Sequence, residues 1–151
     1  MVPFALALLV FFPPPPEPVW VWPTTGPARV IRDFQAPQTP WGPGHRGVDL
    51  SADSPGVRAP ASGWISFQGH VAGRGVVTIT TSQGWQISME PVESELPHGE
   101  WVGAGQDLGQ LQPGHCPELC LHLGLRISDE YRSPSQELGL LRRAVLLPWS
   151  P

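Results

Sequence analysis

The hydrophobic and polar positions of this chain alternate in short runs, and glycines separate one run from the next. The clearest runs cover residues 64–67, 76–81, 85–89 and 119–127. A period of two places one face of a segment in a core, which is typical of β-strands. Short strands at this spacing predict an all-β fold with an antiparallel β-sandwich or barrel-like core. Segment 99–109 has too many glycines for a regular strand and predicts a tight turn.

A helix-start pattern follows the last strand-like run. Ser133 precedes Pro134, and Gln136 stands three residues after Ser133. A capping Ser, a Pro in the first turn and a Gln at the third helical position are typical of a capping box. The pattern predicts one short C-terminal helix that runs through Leu138, Leu140 and Leu141 and packs on the sheet.

An apolar run and a proline-rich stretch precede the strand pattern. The apolar run, residues 2–12, is shorter than the roughly 20 residues that a membrane-spanning helix needs and matches the core of a secretory signal peptide. It lacks a basic start and a clear cleavage site. We predict a signal peptide or membrane anchor at 1–12, which contacts the membrane, with a disordered apolar tail as the alternative, and a stiff Pro-rich linker at 13–28. The domain then covers 29–151 and is secreted or held in the cell envelope.

The charged residues do not indicate a binding partner, but their distribution argues against one class of partner. The 151-residue chain has a formal net charge of −4, and its nine basic residues are all Arg. These Arg are scattered along the chain, whereas nucleic-acid binding requires a clustered basic surface. We therefore expect no nucleic-acid partner.

Two segments offer side chains that bind metals. His45 and Asp49 are four residues apart, so an extended backbone would place both on the same face. In the later run, Cys120, His122 and Arg126 alternate with apolar residues and share the face outside the core. Imidazole nitrogens and carboxylate oxygens are zinc donors. Taken singly, each segment is equally well explained by chance spacing or by an exposed histidine on an amphipathic strand.

In combination, these segments resemble the lysostaphin-type, or LytM-like, family of peptidoglycan zinc endopeptidases. The sequence GHRGVDL at 44–50, followed by VRAPASGWI at 57–65, is similar to the GHxGxD block of that family and the strand after it. The segment VGAGQDLG at 102–109 is similar to a family turn, and LHLGLR at 121–126 resembles the family's HLHfelR strand. The resemblance covers roughly residues 29–141, including the Tyr131 to Leu138 ending.

This resemblance implies a fold, a metal and a substrate. The fold would be a duplicated hybrid motif, and the zinc ligands would be His45, Asp49 and His122. The substrate would be peptidoglycan peptides in the cell wall. Related hybrid-motif domains of the sugar-phosphotransfer and lipoyl types lack both an exported tail and this ligand set, so that interpretation is disfavoured.

The chain departs from the family pattern at the two histidines that activate water and stabilise the transition state. One falls on Cys120 and the other on Pro91. Two residues are candidates to compensate for this loss. Glu90 precedes Pro91 and would face away on a regular strand, unless the proline turns it inward. His115 lies on the loop before the His122 strand. The alternatives are a solvated carboxylate for Glu90 and an exposed loop histidine for His115.

Cys120 determines whether the zinc site would be open. As a fourth ligand it would close the site and leave no water to activate. A disulfide with Cys116, the only other cysteine, is favoured in an exported chain and would leave the site open.

Two functions remain open at this stage. The first is a zinc endopeptidase that cuts peptidoglycan peptides, with catalysis weakened by the replaced histidines. The second is a non-catalytic envelope protein that binds peptidoglycan or regulates a partner cell-wall hydrolase. Four tryptophans are candidates to line a substrate groove, although core packing is the commoner role for any one of them: Trp41, Trp64, Trp85 and Trp101.

Overall fold

The computed structural model describes residues 20–27, 29–39 and 41–140. Within these residues it contains eleven β-strands, all paired antiparallel, and no α-helix, so the all-β prediction is confirmed. The strands are β1 (Val30–Arg32), β2 (Gly47–Ser51), β3 (Gly56–Arg58), β4 (Gly63–Val71), β5 (Arg74–Thr80), β6 (Gln86–Glu90), β7 (Val92–Glu93), β8 (Trp101–Val102), β9 (Asp107–Leu111), β10 (Cys120–Ile127) and β11 (Glu130–Arg132).

The strands form a large and a small sheet. The large sheet has the order β1-β2-β10-β6-β5-β4-β8, with β11 paired to β10. The small sheet has the order β3-β9-β7. One hydrophobic cluster takes side chains from both sheets, among them Leu50 and Leu123 from the large sheet and Val57 and Leu108 from the small one. The alternation of apolar and polar residues in the sequence therefore arises because one face of the large sheet is buried against this shared core.

Segment 99–109 combines a turn with the ends of two strands. Val102 ends β8 and Asp107 begins β9, and the backbone N–H of Gln106 donates to the carbonyl of Gly103 at 3.0 Å. The predicted tight turn therefore occupies the middle of the segment. The flanking residues are strand, because each end pairs with a neighbour in a different sheet.

Residues 20–27 lie against the domain. Trp20 is buried in the core, and its backbone N–H donates to the carbonyl of Glu137 at 2.8 Å. The N–H of Val21 donates to the carbonyl of Pro60 at 2.9 Å. These residues belong to the range 13–28 predicted as a linker; the other half of that range and all of the apolar run 1–12 lie outside the described residues. In the described part of the chain, no helix has the length and apolar character needed to cross a membrane.

The described end of the chain makes hydrogen-bonded turns where the sequence predicts a helix start. The Ser133 hydroxyl accepts from the N–H of Ser135 at 3.3 Å, which is the local bond expected of a cap. The N–H of Leu138 donates to the carbonyl of Pro134 at 3.0 Å, and Leu138 is buried in the core. The described part of the predicted helix therefore forms turns, and Leu141, where the prediction ends, lies outside the described residues.

Candidate metal centre

A row of three polar side chains crosses three neighbouring strands of the large sheet. His122 on β10 is paired with Asp49 on β2 and, on its other side, with Glu90 on β6. Residues directly opposite one another on paired strands point to the same face. The row therefore lies on the face of the sheet that is turned away from the core.

His45 joins this row from the segment just before β2. A bridge between His45 and Gln35 holds its backbone, and its side chain reaches Asp49. The Nε2 atom of His45 is 3.1 Å from Oδ1 of Asp49, and Nδ1 of His122 is 2.8 Å from the same oxygen. The ligand atoms of these three residues all lie within 4.8 Å of one another, so they could hold a metal ion. His45 and Asp49 are only 6% and 3% exposed.

The hydrogen bonding of His45 is that of a metal-binding histidine. Its Nδ1 atom is 2.7 Å from the backbone carbonyl oxygen of Asp33, which can only accept a hydrogen bond. The hydrogen of a neutral His45 ring is therefore on Nδ1, and Nε2 turns a lone pair toward the Asp49 carboxylate. Two acceptors at this separation require a proton or a cation between them. Metal-binding histidines commonly donate their second N–H to a backbone carbonyl in this way, and two imidazoles with one carboxylate are a zinc donor set.

The pKa of Asp49 also reflects the convergence of histidines. Burial alone would raise the pKa of this carboxyl because it disfavours the charged form. Hydrogen bonds with His122 and His115, together with the charge interactions of His45 and His122, outweigh burial and hold the pKa well below its ordinary value. Asp49 is therefore ionised and available to a metal over the whole physiological pH range.

Gly47 leaves room for the His122 ring. Gly47 is paired with Gly124, two residues along each strand from the Asp49–His122 pair. A Cβ atom on Gly47 would lie 2.7 Å from Nε2 of His122, nearer than real Cβ atoms approach a neighbour, and would also press on the backbone of Leu123. A side chain at position 47 would therefore displace the ring or force β2 away from β10, which is a physical reason for the glycine in the GHRGVDL segment.

His115 lies in the cluster rather than in solvent. Its Nε2 atom is 3.0 Å from Oδ1 of Asp49, its ring centroid is 5.4 Å from that of His122, and its side chain is 14% exposed. The interpretation of His115 as an exposed loop histidine is therefore wrong. The sequence alone does not predict this contact, because the loop before β10 can approach Asp49 only once β2 and β10 are paired.

Glu90 is on the same face as His122, so the expectation that a regular strand would turn it away is wrong. The reason is the register, which pairs Glu90 directly with His122. Its carboxylate lies 3.6 Å from Nη2 of Arg74, and Nη1 of Arg74 lies 3.5 Å from Nδ1 of His115. Arg74, at the start of β5, connects the two residues. Sequence reasoning missed it because no local pattern marks an arginine after a turn as part of a site.

The structure joins Cys116 and Cys120 in a disulfide, with their Cα atoms 6.0 Å apart. Metal coordination requires a thiolate, which a disulfide sulfur does not provide. The alternative in which Cys120 is a fourth zinc ligand is therefore not supported. The other position of a missing family histidine, Pro91, is buried.

Two of the four candidate tryptophans share the outer face of the large sheet. Trp64 is paired with Thr80 and Trp101, and the Trp64 and Trp101 rings contact edge to face with centroids 4.4 Å apart. Both are 47% exposed. Trp85 packs against the core, and Trp41 is almost fully exposed. Of the four candidates, Trp64 and Trp101 are therefore the two that share the outer face of the large sheet with the metal cluster, on strands at the other side of the sheet.

No family model matches the chain. Proteins of Mycobacterium tuberculosis and Mycobacterium bovis, described only as uncharacterized, are 43% identical to it over 108 residues. That alignment covers 68% of this chain and 43% of theirs, so the chain spans less than half the length of these relatives.

Solved structures give the fold. Csd3 of Helicobacter pylori aligns with a TM-score of 0.65 and 23% identity, over 84% of this chain and 36% of Csd3. The catalytic domain of the antimicrobial peptidase lysostaphin from Staphylococcus simulans aligns with a TM-score of 0.62 and 20% identity, over 74% of this chain and 92% of that domain. The chain therefore has the fold of the lysostaphin-type, LytM-like peptidases.

Proposed function

We propose that this chain is a zinc-binding member of the lysostaphin-type metalloendopeptidases that acts on peptidoglycan peptides in the cell wall. The zinc ligands are Nε2 of His45, Oδ1 of Asp49 and Nδ1 of His122. The observation that carries the proposal is the convergence of Nε2 of His45 and Nδ1 of His122 on Oδ1 of Asp49, in a cluster on the outer face of this fold. The peptidoglycan substrate is supported by the motif resemblance and the fold.

The residues of the chain prepare the site in distinct ways. When bound, zinc would polarise a substrate carbonyl and lower the pKa of a coordinated water to about 7. The Asp33 carbonyl fixes the ring orientation and the tautomer of His45. Gly47 leaves space for the His122 ring. Three protein ligands leave a further coordination position for water or substrate, as in catalytic zinc sites.

Proton transfer is the weak part of this site. The positions of the two family histidines hold Cys120, which is in a disulfide, and Pro91, which is buried. A positioned general acid or base typically contributes about 10²–10⁴-fold to a rate. We therefore expect turnover well below that of an enzyme that retains both histidines.

Zymography on purified cell walls tests this function. Clearing by the wild-type chain should disappear with a chelator, return with added zinc, and be absent in His122→Ala. His98→Ala is the matched control, because His98 is an exposed histidine outside the cluster. Clearing that persists in His122→Ala or in the presence of the chelator would contradict a zinc-dependent reaction.

The second candidate is a non-catalytic envelope protein that binds peptidoglycan or regulates a partner hydrolase. The replacement of both proton-transfer histidines favours it. This function would be indicated if the wild-type chain binds one equivalent of zinc and does not cleave cell wall. The chain would instead change the rate at which an added cell-wall hydrolase cleaves the wall.

We also propose an extracytoplasmic location. The apolar run at 1–12 supports it, and so does the Cys116–Cys120 disulfide, since cytosolic proteins are kept reduced. Thiol titration of the denatured, unreduced protein should find no free thiol. Two free thiols would contradict the disulfide and weaken the argument for export.

A further inference from the structure

His115 contacts the metal cluster but lies outside the sequence motifs that resemble the lysostaphin-type family. It lies on the loop between β9 and β10, next to Cys116. Its Nε2 atom faces Oδ1 of Asp49, the same oxygen that His45 and His122 face, at a comparable distance of 3.0 Å. Distance alone therefore does not say whether His115 is a third imidazole ligand or a hydrogen-bond donor to a ligand.

The partner of the other ring nitrogen distinguishes these roles. Nδ1 of His115 lies 3.5 Å from Nη1 of Arg74, and a guanidinium can only donate. A neutral His115 ring that accepts at Nδ1 carries its hydrogen on Nε2, so it donates to the Asp49 carboxylate. This tautomer is the reverse of that of His45, which donates from Nδ1 to the Asp33 carbonyl and turns a lone pair to Asp49. His45 therefore has the form of a ligand, and His115 has the form of a donor.

The loop that carries His115 is closed by a covalent bond. Cys116, the next residue, is joined to Cys120, the first residue of β10. Cys120 is buried and paired with Ser51 on β2. The disulfide therefore ties the backbone beside His115 to the strand that carries His122, and it stands at the position where the family pattern has a histidine.

We propose that His115 is a positioning residue, which donates a hydrogen bond from Nε2–H to Asp49 and so orients this carboxylate for zinc. Arg74 sets its tautomer, and the Cys116–Cys120 disulfide holds its loop in place. The proposal rests on the zinc site of the proposed function. Hydrogen-bond partners of metal ligands typically contribute about 10–100-fold to metal affinity, because they hold the ligand in its binding orientation.

Zinc affinity of the full chain, measured by competition with a chromophoric chelator, tests this role. We expect the zinc Kd of His115→Ala to rise by about 10–100-fold. His115→Gln should recover much of the lost affinity, because its side-chain amide can donate a hydrogen bond. His98→Ala is again the control and should bind zinc as the wild type does. X-ray absorption at the zinc edge should find two imidazole ligands in the wild type and still two in His115→Ala.

The disulfide is tested in the double variant Cys116→Ser/Cys120→Ser. Serine is preferable to chemical reduction, because the cysteine sulfurs lie within 4.8 Å of a ring nitrogen of His115 and the thiols could bind zinc themselves. The double variant should bind zinc more weakly than the wild type does. Adding His115→Ala to the double variant should raise the zinc Kd by a smaller factor than His115→Ala does in the wild type. Such non-additivity is expected of residues that act through one contact.

The outcomes separate this proposal from the proposed function. Unchanged zinc affinity in His115→Ala, beside normal binding by the wild type, would overturn the role of His115 alone. Three imidazole ligands in the wild type would also overturn it, because His115 would then be a ligand. Absence of zinc binding by the wild-type chain would overturn both proposals.

Discussion

Gly47→Ala is the smallest change that should disturb the metal centre without removing a ligand. The added Cβ would lie 2.7 Å from Nε2 of His122, which is 0.7 Å short of the 3.4 Å at which ordinary contact begins. It would also press on the backbone of Leu123 in the paired strand, which cannot rotate away. Either the His122 ring moves or β2 separates from β10. Misplacing a functional group by about 1 Å is enough to lower activity by about 10²-fold.

We expect Gly47→Ala to raise the zinc Kd by at least about tenfold and to lower the free energy of unfolding by about 1–3 kcal/mol, the usual cost of overpacking. Gly56→Ala is the matched control. Gly56 also lies in a short strand, but a Cβ there would meet no atom within 4 Å. Chelator competition gives the Kd, and urea unfolding of the metal-free protein gives the stability. Equal zinc affinity in the two variants would refute the placement of His122 beside Gly47.

Three further predictions follow from the contacts of the cluster. Because the folded-state pKa of Asp49 is depressed below its unfolded value of about 3.9, its ionisation stabilises the metal-free fold above about pH 4, and this contribution is lost as the pH falls below that value. Urea unfolding should therefore show a stability difference between wild type and Asp49→Asn that shrinks from about pH 6 to about pH 3, whereas a constant difference would contradict the depressed pKa. Glu90→Gln should change the zinc Kd by less than about threefold, because the Glu90 carboxylate contacts Arg74 in a partly exposed pair, and such pairs contribute little. Arg74→Met should weaken zinc binding more than Glu90→Gln does, because it removes the donor that sets the His115 tautomer; equal effects would count against that assignment.

The elements and the His122 face could be predicted from local pattern. Leu121, Leu123 and Leu125 alternate with polar residues over a full strand, and a period of two is visible without knowing any neighbour. The very short strands β7 and β8 were not predicted, since two residues cannot show a period. They are strands only because β9 and β4 lie beside them.

Part of the metal cluster could likewise be predicted from the sequence, and part depends on strand pairing. The pairing of His45 with Asp49 follows from their spacing, and the link to His122 followed from the motif resemblance. The positions of Glu90, Arg74 and His115 depend on the register of β10 with its neighbours, which local pattern does not determine. A single residue of slip in that register would have turned Glu90 to the other face, as the sequence interpretation expected.

The most direct test of the central claim is the zinc content and affinity of the purified full chain, measured by equilibrium dialysis against buffered zinc. The wild type should bind one equivalent, and His45→Ala and His122→Ala should each weaken binding by at least about 100-fold, whereas His98→Ala should not. Zinc binding that is absent from the wild type, or unchanged when His45 or His122 is removed, would contradict the metal centre built from His45, Asp49 and His122.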